Sequence, residues 1–197
     1  MTESRIGGIL LAAGGSSRMG EPKQFLIFDG KTLLGRAAEA LTASGASPIV
    51  VVTGSDHKRV VSELEGLAVH LKSNDDWGSG MGSSLKAGLA RLLEIEPLID
   101  AVVVTLCDQP LVTHQSIERL CSEYASSKSP IVASEYAETI GVPALFSSET
   151  FSALSEISNE KGARDLIRSG AFSVSVVPMP EAADDLDTPD DYKFFKT

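Results

Sequence analysis

Two cysteines among 197 residues, Cys107 and Cys121, are too few for a disulfide framework, and neither belongs to a Cys-x-x-Cys or Cys-x-x-His pair that would hold zinc. They read as reduced, mostly buried thiols. No apolar run approaches the roughly 20 residues that cross a bilayer, since the longest, such as Ile49 to Val52 and Ala101 to Leu106, have the length of strands. Nor does the chain reach Gly14 and Gly15 through a basic n-region and a cleavage site, so a cytoplasmic protein with no membrane contact is expected. Basic residues are scarce: 17 Lys and Arg face 27 Asp and Glu, a formal net charge of −10. Such a surface cannot sheathe a phosphate polymer, which argues against a nucleic-acid partner, although a few converging cations can hold one small polyanion in a pocket. The three histidines, His57, His70 and His114, lack paired or helical spacing and imply no histidine-based catalysis.

What is present fits a single domain over residues 1–197, with 43% hydrophobic residues to bury. Short β-branched runs alternate with helical patterns, the signature of a mostly parallel sheet joined by crossover helices, and hence of an α/β fold. Strands are predicted at Ile6–Ala12, Ile49–Thr53, Ala101–Leu106 and Pro130–Ala133, with weaker signals at Ala68–Leu71, Val142–Phe146 and Phe172–Val177. Helices are predicted over Leu33–Thr42, stopped by Gly45, and over Met81–Leu93, where Met81, Leu85, Leu89 and Leu92 share a face. Ile117, Leu120, Cys121 and Tyr124 mark another after Pro110, and Ala163, Leu166 and Ile167 a further one. An acidic stretch runs from Glu181 to Asp191.

The first strand leads into Leu11-Ala12-Ala13-Gly14-Gly15-Ser16-Ser17-Arg18-Met19-Gly20-Glu21-Pro22-Lys23. Small residues there let backbone N–H groups approach a polyanion, and Arg18 and Lys23 can add a fork and a point charge to the same phosphates. Two familiar fingerprints fail: Gly15 to Gly20 has the Walker spacing but is followed by Glu21 and Pro22, and no Gly-x-Gly-x-x-Gly occurs. Glycine content alone leaves a phosphate cradle and a plain strand-to-helix turn equally open.

Leu11 to Lys23 resembles, without a mismatch, the Leu-Ala-Ala-Gly-x-Ser-x-Arg-Met-Gly-x-Pro-Lys signature of the nucleotidyltransferases related to molybdenum-cofactor cytidylyltransferase. Gly80-Met81-Gly82-Ser83-Ser84-Leu85, Cys107-Asp108-Gln109-Pro110, Gly141 to Phe146, Lys161-Gly162-Ala163-Arg164 and Asp185 to Asp191 continue the match in order. The family pattern is not met everywhere: Val142 stands where a Gly-His-Pro segment is usual, and Asn159-Glu160 replaces Gly-Asp before Lys161. The resemblance implies a Rossmann-like three-layer sandwich of the nucleotide-diphospho-sugar transferase type. It also implies a Mg²⁺-dependent transfer of CMP from CTP to the terminal phosphate of the molybdopterin cofactor, with release of pyrophosphate. A molybdoenzyme or its chaperone would be the onward partner.

On that resemblance the nucleotide is held by Leu11, Ala12, Ala13, Gly14, Gly15, Ser16, Ser17, Arg18, Lys23, Ser83 and Ser84, and catalysis rests on Arg18, Lys23 and Asp108. Asp108 and Asp187 would bind the metal, in keeping with the one or two carboxylates that Mg²⁺ usually takes. Each has another reading, Asp108 as a turn residue before Pro110 and Asp187 as a helix N-cap, and Ser83 and Ser84 also suit ordinary capping. Gln109, Pro143, Lys161 and Arg164 are the candidates for the acceptor. The Ala12-Ala13-Gly14 sequence resembles cytidylyl members, whereas guanylyl relatives carry Ala-Gly-Gly. Pro22-Lys23-Gln24 also resembles enzymes that act on methylerythritol phosphate, which keeps a sugar or polyol phosphate open as acceptor. From another class, a non-catalytic nucleotide or cofactor chaperone stays open.

Overall fold

Strands apolar on both faces need cover on both faces, and the sequence supplies helices for each. The computed structural model describes residues 4–14 and 22–186. In chain order the elements are β1 (Ile6–Ala12), β2 (Ile27–Phe28), β3 (Lys31–Thr32), α1 (Leu33–Ala43), β4 (Ile49–Thr53), α2 (His57–Glu63), β5 (His70–Ser73) and α3 (Met81–Ile95). They continue with β6 (Ala101–Leu106), α4 (His114–Ser127), β7 (Ile131–Tyr136), β8 (Thr139–Ser147), α5 (Phe151–Glu156), α6 (Ala163–Arg168) and β9 (Val174–Pro178). Among the described residues seven strands form one sheet in the order β5-β4-β1-β6-β8-β7-β9, with β8 alone antiparallel to its neighbours.

The period-two alternation of each strand divides the core. Leu10, Ala12, Val51 and Val103 point toward the layer of α1, α2 and α4, where they meet Leu34, Ala38, Leu41, Ile117 and Leu120. Ile9, Leu11, Val50, Val52, Val102 and Val104 point the other way, toward Leu85, Leu89 and Leu92 of α3 and toward α5 and α6. Gly88 lets α3 lie close, because a Cβ there would meet the Ile9 Cγ2 atom at 2.8 Å. Leu85, Leu89 and Leu92 are fully buried, so truncating any one to alanine costs about 2–5 kcal/mol. The result is a three-layer α/β sandwich, and no helix of the described residues is long and apolar enough to cross a membrane.

Three features depart from the sequence expectation. β8 begins three residues before Val142, at Thr139, and runs backward because Ala137 and Glu138 both take positive φ (46° and 59°) and close a two-residue hairpin with β7. α2 presents a single buried residue, Val60, and so shows no amphipathic period to read. α5 is six residues long and buries Phe151 and Leu154.

Candidate active site

Register brings the strand ends together. Leu11 of β1 pairs with Leu106 of β6, and Ala12 pairs with Thr53 of β4, so the chain leaves all three strands on one edge of the sheet. This carboxyl edge is where open α/β sheets bind ligands. A cavity of about 280 Å³ opens there between Leu11, Ala13 and Gly14 on one side, Leu106, Cys107 and Asp108 on another, and Trp77, Gly78, Gly80, Met81 and Ser84 at the start of α3, with Lys23 and Gln24 completing it. Gly54 makes the close packing behind it possible: a Cβ at that position would lie 2.6 Å from the Ala13 carbonyl oxygen and 3.0 Å from the Trp77 ring.

Asp108 stands two residues beyond the β6 strand and is part-buried. One carboxylate oxygen, Oδ2, accepts from the Lys23 ammonium at 2.5 Å. The other, Oδ1, is buried with no hydrogen-bond partner among the described residues. A buried carboxylate oxygen left without a partner costs free energy unless something positively charged or protic meets it. This donor set fits the Mg²⁺ implied by the resemblance, which takes few protein carboxylates and completes its shell with phosphate and water oxygens. No group of three or more His, Cys, Asp or Glu side chains clusters among the described residues, so a metal cage built wholly from them is absent. Asp187, the second expected ligand, and Gly15, Ser16, Ser17 and Arg18 lie outside the described residues. Leu186, the last described residue, donates its N–H to the Asp108 carbonyl at 3.0 Å.

Next to Asp108, burial pushes the Cys107 thiol up to about 12, with the Asp108 carboxylate adding to the shift. Cys107 is therefore a neutral wall of the cavity at physiological pH and not a nucleophile.

At the start of α3, where Ser83 and Ser84 are expected as nucleotide contacts or caps, N–H groups are already bonded within the fold. Gly82 donates its N–H to the Asn159 carbonyl at 2.9 Å, and Ser83 donates its N–H to Gly80 at 3.2 Å. Gly80 (φ 125°) and Gly82 admit the 158–161 turn against the helix, since a Cβ on either would meet a carbonyl oxygen of that turn at 2.3 Å. The Ser83 hydroxyl donates to the carbonyl oxygen of Gly80 (2.8 Å) or of Asp76 (3.0 Å), so it braces the helix start, and Ser84 lines the cavity. Asn74, which no motif singled out, donates to both serine hydroxyls, at 2.9 Å and 3.0 Å.

The four acceptor candidates lie elsewhere than the cavity. Gln109 is 4% exposed, and its amide donates to the carbonyls of Val142 (3.2 Å) and Ala182 (2.9 Å), tying β8 and the C-terminal segment to the end of β6. Its amide nitrogen is spent on the backbone, while its Oε1 is buried with no partner among the described residues. Pro143 is buried within β8 and its carbonyl accepts from Ser134. Arg164 reaches the Tyr136 hydroxyl at 3.4 Å, and Lys161 is exposed on the turn that packs against α3. Of the expected nucleotide contacts, Ala12 turns its methyl into the α1 and α4 layer, whereas Leu11, Ala13 and Gly14 line the cavity.

Residues 8–175 match the MobA-like NTP transferase domain. The chain is 31% identical over 193 residues to the nicotine blue oxidoreductase of Paenarthrobacter nicotinovorans, covering 93% of this chain and 92% of that one. It is 32% identical over 126 residues to a probable molybdenum cofactor guanylyltransferase of Bacillus anthracis, with 61% and 60% covered. In three dimensions it superposes on Rv0371c of Mycobacterium tuberculosis H37Rv with a TM-score of 0.81, 28% identity and coverage of 98% and 100%, and on the manganese complex of the same protein with a TM-score of 0.78, 28% identity and 98% coverage of both chains. The glycine loop, the strand-end aspartate and these likenesses along nearly the whole chain make it a member of the MobA-like nucleotidyltransferase family.

Proposed function

We propose that this nucleotidyltransferase uses CTP and Mg²⁺ to transfer CMP to the terminal phosphate of the molybdopterin cofactor, releasing pyrophosphate. The observation that carries the reading is Asp108: a part-buried carboxylate on the carboxyl edge, with one oxygen on Lys23 and the other without a partner among the described residues. Asp108, together with Asp187, would hold the metal, which when bound supplies positive charge to the triphosphate. Lys23 meets the negative charge that grows on the leaving pyrophosphate, where a fixed cation lowers the barrier most. Asp108 keeps the Lys23 ammonium pointed into the cavity through their direct ion pair. The acceptor phosphate oxygen attacks the α-phosphorus in line with the departing pyrophosphate.

Cytosine is supported by Ala13, whose methyl lines the cavity where guanylyl relatives carry glycine. Ala13→Gly should relax the preference toward GTP without abolishing CTP use. The molybdopterin acceptor is supported by the relatives of this family that are named for that cofactor. The test measures pyrophosphate release with each of the four nucleoside triphosphates against the molybdopterin cofactor and against a polyol phosphate. Release that depends on CTP and the cofactor is expected. Equal use of GTP overturns the choice of base, turnover with the polyol phosphate alone overturns the acceptor, and binding of CTP with no release in any combination leaves a non-catalytic module.

A further inference from the structure

The segment after β9 returns from the edge of the sheet to the strand end that carries Asp108, and it is fastened along the way. The Met179 N–H donates to the Glu135 carbonyl at 2.8 Å, the Ala182 carbonyl accepts from Gln109, and the Leu186 N–H donates to the Asp108 carbonyl at 3.0 Å. Met179, Ala182 and Leu186 are fully buried, Leu186 against Leu26 and Leu33, whereas Ala183, Asp184 and Asp185 are exposed. The segment therefore grips the Asp108-Gln109 turn from outside, at the backbone of one residue and the side chain of the other.

One side chain of this segment reaches away from the strand end. Glu181 lies in the short turn Pro180–Ala182, and its carboxylate accepts from the Ser116 hydroxyl at 2.6 Å and, on the same oxygen, from the Arg119 guanidinium. Ser116 is 2% exposed in the first turn of α4, and its oxygen also accepts from the Thr113 N–H at 3.3 Å. A carboxylate at the positive end of a helix, bonded by a buried hydroxyl and a cation, is held more firmly than a bare surface ion pair. Burial by itself raises the Glu181 carboxyl, but the Ser116 bond, its own backbone and Arg119 outweigh it and keep the group below its ordinary value, so the charged form is the one held. Only the turn from Gln109 to Thr113 separates Asp108 from α4. The Glu181 contact thus closes a ring that begins and ends at Asp108: along the chain to Ser116, across to Glu181, and back through Ala182 and Leu186.

We infer that Glu181 is a positioning residue for the metal site: by latching the 179–186 segment to α4 it keeps the Asp108 turn where one carboxylate oxygen meets Lys23 and the other is left for a divalent cation. This rests on the reading of Asp108 as a metal ligand and deepens it. Asp187, the second expected ligand, is the next residue of the chain after Leu186, so the same latch fixes the point from which it departs.

The test is Mn²⁺ binding, read from the free-ion signal in electron paramagnetic resonance, in the parent, Glu181→Ala, Glu181→Gln and Asp108→Asn, beside thermal melting and hydrogen exchange at the Leu186 amide. Glu181→Ala should weaken Mn²⁺ binding by about tenfold, as loss of a group that supports a metal ligand does, and should speed exchange at Leu186. Glutamine keeps an oxygen that accepts from Ser116 and Arg119, so Glu181→Gln should recover most of the affinity. In turnover, Glu181→Ala should raise the apparent KM for Mg²⁺ while kcat at saturating Mg²⁺ holds. A lower melting temperature with parental Mn²⁺ affinity makes Glu181 a stabilising contact only and overturns the inference. So does an affinity that Glu181→Gln fails to recover, because charge at a distance and not the latch would then be at work. Asp108→Asn that binds Mn²⁺ as well as the parent overturns the metal reading instead; the latch on the Asp108 turn then stands if Leu186 exchange rises in Glu181→Ala and falls if it does not.

Discussion

At the carboxyl ends of β1, β4 and β6 polar side chains line a cavity, whereas around β7, β8 and the C-terminal segment most polar side chains bond one another and the backbone, Gln109 Oε1 and the Ser147 hydroxyl being the buried exceptions among the described residues. On the first side, among the described residues, Asp108 Oδ1 is buried without a partner and the Ser84 hydroxyl hydrogen has no acceptor. On the second, Gln109 bridges Val142 and Ala182, the Tyr136 hydroxyl donates to the Val142 carbonyl at 2.9 Å, and Ser134 donates to Pro143. The two regions meet at Asp108 and Gln109, adjacent in sequence, each with one oxygen buried without a partner among the described residues, but only Asp108 lines the cavity. A residue type says little about whether a position binds a ligand or ties the fold. Bonding capacity left over on the wall of a cavity says more.

The largest test of this contrast is Asp108→Asn, which keeps size and removes charge. It should fold normally and lose on the order of a thousandfold in kcat/KM for pyrophosphate release. Near-parental turnover at limiting Mg²⁺ would dissolve the contrast at its centre. Lys23→Ala should cost about a hundredfold in the same assay, while Lys31→Ala, whose partner Glu39 is on the surface, should be silent. Equal rates for both lysine variants would make Lys23 an ordinary surface cation. On the other side of the comparison, Gln109→Leu should lower unfolding free energy by on the order of 2 kcal/mol, because two backbone carbonyls lose their buried donor. Urea denaturation measures it, and an acceptor KM that rises while stability holds would move Gln109 to the ligand-binding side.

The smallest effect concerns pH. The Cys107 thiol is raised from 9.0 to about 12 in the folded protein, so its neutral form is the one favoured by folding. Its contribution to stability is complete below pH 9 and is lost as pH rises from there toward 12. Cys107→Ser should flatten that alkaline decline in a melting series, and native Cys107 should resist iodoacetamide at neutral pH. Rapid alkylation of the folded protein would contradict the buried, neutral wall described for it.

Much of the architecture was legible because period and run length are local properties. β1, β4 and β6 match their predicted spans residue for residue, and α1 and α3 differ only at their ends. The hairpin reversal at β8 was not, because Ala137-Glu138 carries none of the Asn-Gly or Asp-Gly chemistry that usually signals such a turn, whereas the turn between β2 and β3 does carry Asp29-Gly30. In the site, the motif pointed to Asp108 and Lys23, which the fold brings together on the cavity wall, but a motif cannot show that the amide nitrogen of Gln109, adjacent to Asp108, bonds two backbone carbonyls. Asn74 escaped notice because a single Asn in a turn has no pattern, and its importance arises only when the fold brings it under the two serines at the start of α3.

Gly54 and Gly82 stand behind the cavity and Gly80 on its wall, and the carbonyl oxygens of Ala13, Ser158, Asn159 and Lys161 occupy the places where their side chains would stand. In a complete substitution map of this protein those three positions should stand out as rows tolerating no replacement, as sharply depleted as Asp108 but for a reason that persists when nucleotide use is not under selection. A screen for folded protein and a screen for turnover, run on the same library, would therefore agree at the three glycines and part company at Asp108.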